Sequence, residues 1–399
     1  MCLSALTWKS MTLFRSVADD GRPRLSPYFG PYPNDMTDSR WPATWAPYMT
    51  WSKHHEKAEC DLSGSNLLPC TLEEFPEARE AIALYGRNDD GWPPLVEAIA
   101  DRYDVGTEHI TTGPGASGAN FLALAALLRP GDTLLAEWPG YDPHMGAARF
   151  LGAKVVTFDR GWDRRFTLDP DAVEAALTPD VSAIMLTNLH NPSGVYAEQD
   201  SLMRVGDLAR SVGAKVIVDE VYLDALEGVD RSPVATRDPV FVSTNSLTKS
   251  YGLAGARIGW MIADPETTLR ALRVRDVFDG VGSIPSETIG AMAFQHLDRL
   301  LERARRVLGP GVSLFKAFME NRSELDWIEP IGGSVGFPRL RGVDDAEPFV
   351  EFAAANFGVG VTPGALFGEP AHFRVSVAGE PTILEEGLSR LGAALDEWE

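Results

Sequence analysis

Apolar positions along this chain change period several times, and the changes mark out elements. From residue 71, TLEEF offers a capping Thr71 with Glu74 three residues on, and from residue 91 GWPPLVEAIADRYD has apolar residues at helical spacing, with Pro93 and Pro94 suited to a first turn. Residues 110–132, ITTGPGASGANFLALAALLRPGD, read as a short strand, a Gly-rich turn and an apolar helix ended by Pro130-Gly131. Apolar runs at 133–144, 154–159, 182–194, 214–224 and 239–245 then alternate with helical segments such as DPDAVEAALTP and EQDSLMRVGDLARSVG. Strands apolar on both faces that alternate with helices predict an α/β fold, a mainly parallel sheet covered on both sides. Residues 256–264 add a strand and residues 267–278 a helix. The helical pattern continues to about 321 with a break near 309–311. It leads into a second region with strands near 335–340, 359–362 and 373–378 and helices at about 346–357 and 381–397.

Before residue 60 the pattern has no sustained period, and Pro, Tyr and Trp crowd the stretch SPYFGPYPNDMTDSRWPATWAPYMTW. This predicts an arm rather than a domain, with Trp41, Trp45 and Trp51 covering the body or a partner subunit, and no chemistry attaches to it. A length of 399 residues suits a large domain over 91–285 and a smaller α+β domain built from 61–90 and 286–399, with residues 1–60 as the arm. A net charge of -21 disfavours a nucleic-acid partner. Cys2, Cys60 and Cys70 have neither metal-ligand spacing nor a disulfide framework, so no metal is expected and a reducing setting is. The apolar run at 121–128 is too short to cross a bilayer, which together with the thiols predicts a cytoplasmic protein without a membrane partner.

Ligands of such sheets bind at the carboxyl ends of the strands. The polar residues at those ends are Tyr141, Asn191, Asp219, Tyr222, Ser246 and Lys249. Lys249 lies in TNSLTKSYGLAGARIG, where the Ser246 hydroxyl and the Arg257 guanidinium suit phosphate oxygens and glycines permit close backbone approach. The Gly-rich turn opening the helix after residue 114 offers backbone N–H groups and the Ser117 hydroxyl to an anion. Each residue also has an ordinary reading. Asp219 could cap a turn, Asn191-Pro192 mark one, Tyr141 and Tyr222 pack, Arg374 sit in a surface ion pair and Lys249 face solvent. Together, an amine beside a phosphate site with a carboxylate at a neighbouring strand end suits pyridoxal 5′-phosphate.

From about Tyr85 onward the motifs YGR, DGWPPLVEAIA, GPGASGA, EWPGYDP, HNPSG, DEVYLD, SLTKSYGLAGARIG and FRVSVA follow in order. In these the sequence resembles the aspartate aminotransferase superfamily, the fold-type I pyridoxal phosphate enzymes of aminotransferase class I/II. The resemblance implies that Lys249 holds the cofactor covalently and, once freed, carries protons, with Asp219 on the pyridine nitrogen and Asn191 and Tyr222 on the phenolic oxygen. It implies that Tyr141 stacks on the ring and that Ser246, Arg257, Ala116 and Ser117 hold the phosphate. Tyr85 matches a tyrosine that reaches the phosphate of a neighbouring subunit, which implies a homodimer with shared sites. Arg374, with Asn191, matches the clamp on the substrate carboxylate. His190 is expected to pack beside Asn191. The implied activity is transamination between an amino acid and a 2-oxo acid. Alternatives on the same core are a lyase or cyclase acting on an amino acid with a β or γ leaving group and, remotely, a non-catalytic regulator; residues 1–70 lack a DNA-reading pattern. An acidic substrate needs a second arginine, for which Arg24, Arg40, Arg87 and Arg275 are candidates.

Overall fold

The structure, a computed structural model, describes residues 45–398. Its centre is a seven-stranded sheet of β1 (Ile110–Pro114), β2 (Thr133–Trp138), β3 (Lys154–Asp159), β4 (Val181–Thr187), β5 (Lys215–Asp219), β6 (Phe241–Ser246) and β7 (Ile258–Ile262), in the order β1-β7-β6-β5-β4-β2-β3. All neighbours run parallel except β7, which is antiparallel to both β1 and β6. Alternate residues feed two different cores: Ile184 and Leu186 of β4 pack with Leu202, Val205 and Ala209, while Ala183 and Met185 pack with Leu122, Met145 and Ala271. This is why the strands read as continuous apolar runs. β3 is the exception, an edge whose Lys154 and Asp159 face solvent.

Helix α2 (Gly115–Leu127) follows β1 directly, and helix α3 (Asp142–Phe150) begins one turn after β2. Because β7 runs backward, Pro114 pairs with Ile258 and Ser246 with Gly259. The start of β7 therefore lies at the same edge of the sheet as the ends of the parallel strands.

Several expectations change. Residues 1–44, including Trp41, Arg24 and Arg40, lie outside the described residues. Within the expected arm, Pro47–His54 form a helix, α1, whose short run is too brief to show a period; Pro47 supplies its first turn, and the Asp142 carboxylate accepts the Tyr48 backbone N–H at 3.2 Å. The Thr71 and Glu74 capping pair forms, with bonds of 3.0 and 3.4 Å, but a turn follows and the helix starts only at Glu77. The expected break at 309–311 is absent: a 24-residue helix, Leu297–Glu320 (α4), runs through Pro310. Burial overrides proline here. Leu297, Leu300 and Leu301 lie in one core and Phe315 and Met319 in another, and a Cβ at Gly311 would collide with the Val377 carbonyl. The expected strand at 335–340 is two pieces: Val335–Gly336 pairs with the strand Phe373–Ser376, and Arg339–Leu340 with Leu325–Asp326. Phe373–Ser376 also pairs with Thr362–Pro363, which sets Arg374 in the middle of a small antiparallel sheet. No helix among the described residues is long and apolar enough to cross a membrane.

Candidate active site

The strand ends deliver the predicted residues to one crevice. Asp219 closes β5, Ser246 closes β6, and Arg257 precedes β7 in the left-handed region at φ 54°, uncommon for a residue other than glycine. That conformation turns its guanidinium back to the Pro114 carbonyl at 2.9 Å, while its own carbonyl accepts the Gly115 N–H at 3.0 Å. Gly115, at φ +72°, has no room for a side chain, because a Cβ would strike the Arg257 guanidinium; a Cβ on Gly259 would strike Gly115. Backbone, guanidinium and the N-terminus of α2, with Ala116 and exposed Ser117 in its first turn, thus crowd one small volume. Amide N–H groups at a helix start beside an exposed guanidinium form an anion cradle.

The Lys249 amine donates to Ser65 Oγ at 2.8 Å and Asn66 Oδ1 at 2.6 Å, and stands 5.6 Å from the centre of the Tyr222 ring. Loss of solvent around it, the largest cause, brings its pKa down to about 8; Tyr48 and Asp219 oppose the shift, Arg374 and Arg257 add to it. An amine so placed gives up its proton close to neutrality.

Asp219 is buried and well held. Its Oδ2 accepts from Asn120 Nδ2 at 2.6 Å and lies 3.3 Å from His144 Nε2, and its Oδ1 accepts the Val221 N–H at 3.1 Å. Asn120 is fixed in turn, its Oδ1 accepting from Thr244 Oγ1 at 2.5 Å. Tyr141 lies edge-on to His144 at 5.0 Å. Burial, first, raises the Tyr141 and Tyr222 phenols, so both remain protonated donors near neutral pH.

Arg374 is fully buried rather than in a surface ion pair. Its NH1 donates to Asn191 Oδ1 at 3.0 Å, and its NH2 to the Tyr48 hydroxyl at 2.6 Å and the Ser63 carbonyl at 3.3 Å; its Nε has no partner. Among the described residues, the other buried arginines, Arg160, Arg275 and Arg303, meet Glu137, Asp279 and Glu74. Arg374 meets no carboxylate, so a buried positive charge awaits an anion from outside the chain.

Lys249, Asp219, Asn191, Tyr222, Tyr141, Ser246, Arg257, Ala116, Ser117 and Arg374 are therefore brought together. Tyr85 is not; it is 92% exposed. His190 packs as expected, bonded to Ser193 and the Pro139 carbonyl and stacked on Phe166 at 5.7 Å. Of the candidate second arginines, Arg87 pairs with Asp89 on the surface and Arg275 is spent on Thr112 and Asp279. Three residues escaped the sequence reading: Asn120, His144 and Tyr48. His144 and Asn120 lie within stretches whose neighbours were recognised, but neither ends a strand.

The donor set fits a pyridoxal phosphate: an anion cradle, a lysine of lowered pKa, a fixed carboxylate and a flanking aromatic occur in one crevice. A family model described as aminotransferase class I and II matches residues 58–391. This chain belongs to that family. It is a pyridoxal 5′-phosphate enzyme of fold type I. Among relatives, capreomycidine synthase of Streptomyces vinaceus is 28% identical over 372 residues, covering 88% of this chain and 93% of that protein. Histidinol-phosphate aminotransferase 1 of Cupriavidus pinatubonensis is 30% identical, over 78% of this chain and 82% of its own length. A solved aminotransferase of Streptococcus suis superposes with a TM-score of 0.82 at 26% identity, covering 88% of this chain and 97% of that one.

Proposed function

We propose that this family member transfers an amino group between an amino acid and a 2-oxo acid, with Arg374 taking the α-carboxylate and Lys249 moving the proton. The observation that carries the reading is the buried, carboxylate-free Arg374 in the same pocket as an amine whose pKa lies at about 8. When bound, pyridoxal phosphate acts as an electron sink for the bond broken at the substrate α-carbon. The protein supplies the rest. Ser246, Arg257 and the first turn of α2 hold the phosphate. Asp219, kept in place by Asn120, His144 and the Val221 amide, pairs with the ring nitrogen and favours its charged form. Tyr222 and Asn191 donate to the phenolic oxygen, and Asn191 also orients Arg374. Lys249 Nζ, drawn between Ser65, Asn66 and the Tyr222 face, accepts a proton from the substrate α-carbon and returns it nearby.

A homodimer with shared sites belongs to this reading. Exposed Ile82, Leu84 and Tyr85 run beside Val281, since Asn88 bonds the Gly282 carbonyl at 2.9 Å and Ala83 the Thr288 hydroxyl at 3.4 Å. A second subunit covering this band would bring Tyr85 to the neighbouring phosphate.

The relative that makes capreomycidine gives a second reading, cyclisation or elimination on an amino acid with a β or γ leaving group. Stoichiometric turnover separates the two. Mixing the holoenzyme with single amino acids should release one 2-oxo acid per site and leave the cofactor in its amino form. Release of cyclised or eliminated product with the cofactor spectrum restored, or no response across the twenty common amino acids, overturns transamination.

A further inference from the structure

We infer that Tyr48, on α1, the first helix among the described residues, is a substrate-binding residue whose hydroxyl shares the α-carboxylate with Arg374. The inference rests on Arg374 being the carboxylate clamp and adds a residue from a segment to which the sequence attached no chemistry.

The donors around the guanidinium can be counted. NH1 serves Asn191, and NH2 serves both the Tyr48 oxygen and the Ser63 carbonyl, while the Nε–H is buried with no acceptor. The Tyr48 oxygen accepts from NH2, so its own proton remains to be given, and it has no acceptor among the described residues. Three unspent donors, the Nε–H, the second NH1 hydrogen and the phenol O–H, thus belong to one bonded pair. A carboxylate has two oxygens, and buried donors without acceptors are costly until such an anion arrives.

Position supports the same reading. The Tyr48 ring centre lies 5.0 Å from the guanidinium, the Phe367 ring centre 4.7 Å, and the Tyr141 ring 5.6 Å from that of Tyr48. The Tyr48 hydroxyl meets the Arg374 guanidinium, and Arg374 in turn stands close enough to Lys249 for its charge to act on that amine. Its backbone is pinned by Asp142, and Met49, next in α1, accepts the Tyr141 hydroxyl through Sδ at 3.2 Å. An aromatic present only for packing has no need to point its hydroxyl at a buried guanidinium.

The test compares amino acids with their decarboxylated amines on the holoenzyme, reading apparent dissociation constants from the change in the cofactor spectrum. The pairs are L-alanine with ethylamine, L-leucine with isoamylamine, L-histidine with histamine and L-arginine with agmatine. Tyr48→Phe keeps the ring and removes the hydroxyl. Its binding of the responsive amino acid should weaken about 10-fold, with that of the matching amine unchanged and kcat reduced less than KM is raised. Equal weakening of amine and amino acid, or no weakening of the amino acid, overturns the inference. Arg374→Met separates the two levels: it should abolish the preference for amino acid over amine. If it does so while Tyr48→Phe does not weaken the amino acid, Tyr48 alone is wrong; if it does not, or if wild type responds to no amino acid, the clamp reading falls and takes Tyr48 with it.

Discussion

Removing an arginine that neutralises a buried carboxylate has a different consequence from removing one that has no carboxylate. Arg160 NH1 lies 2.5 Å from Glu137, which also accepts from Thr187, all of it buried. Arg160→Met leaves Glu137 uncompensated and should cost about 3–5 kcal/mol in urea unfolding. Arg374→Met removes a buried charge without stranding another, and should leave stability within about 1–2 kcal/mol of wild type. A comparable loss in both variants would mean that Arg374 is a structural ion. Asn120 acts through Asp219: Asn120→Ala removes a donor to a buried carboxylate and should weaken pyridoxal phosphate binding about 10-fold by fluorescence titration, with Asn120→Gln recovering part of the loss. Lys249, Asp219 and Arg374 were legible because each sits in a motif of distinctive spacing. Tyr48 was not: its partner Arg374 lies 326 positions away, and contacts of that separation leave no local period.

Regular elements were legible where one face or both are buried over several residues. The central strands and their helices follow the predicted pattern because period and length agree. Helix α4 shows the limit, since Gly309-Pro310-Gly311 reads locally as a break while two flanking apolar cores hold the helix through it. Helix α1 depends on a partner outside itself, Asp142 at the start of α3. Burial pushes the Asp142 carboxyl up to about 7, and burial also raises buried Glu220 to about 8. Folding therefore favours the protonated forms: their contribution is complete below the ordinary values of 3.8 and 4.5 and is lost as pH rises through about 7 and 8. Thermal midpoints followed by circular dichroism should fall between pH 5 and 8. Asp142→Asn should flatten the part below about 7, and an unchanged slope would remove Asp142 as its source.

On the scale of the molecule, several of the exposed apolar side chains gather on one surface. A groove of about 850 Å³ is lined by Phe121, Phe150, Leu269, Val277 and Phe278, and Val281, just beyond Phe278 in the chain, is exposed as well. Contiguous apolar surface of this kind fits a subunit contact. If the proposed homodimer forms through this surface, Val277→Asp should shift sedimentation toward the monomer, and activity should fall with it and recover at higher protein concentration; an unchanged sedimentation coefficient rules this surface out as the contact.

The antiparallel course of β7 reaches beyond geometry. Because the chain turns back after Lys249, the residues proposed as the covalent and the ionic anchors of the cofactor lie on a single hairpin, and on the ribosome both emerge long before Arg374, the proposed carboxylate clamp. On the proposed assignment, a growing chain thus receives its cofactor-binding residues first and its substrate clamp last.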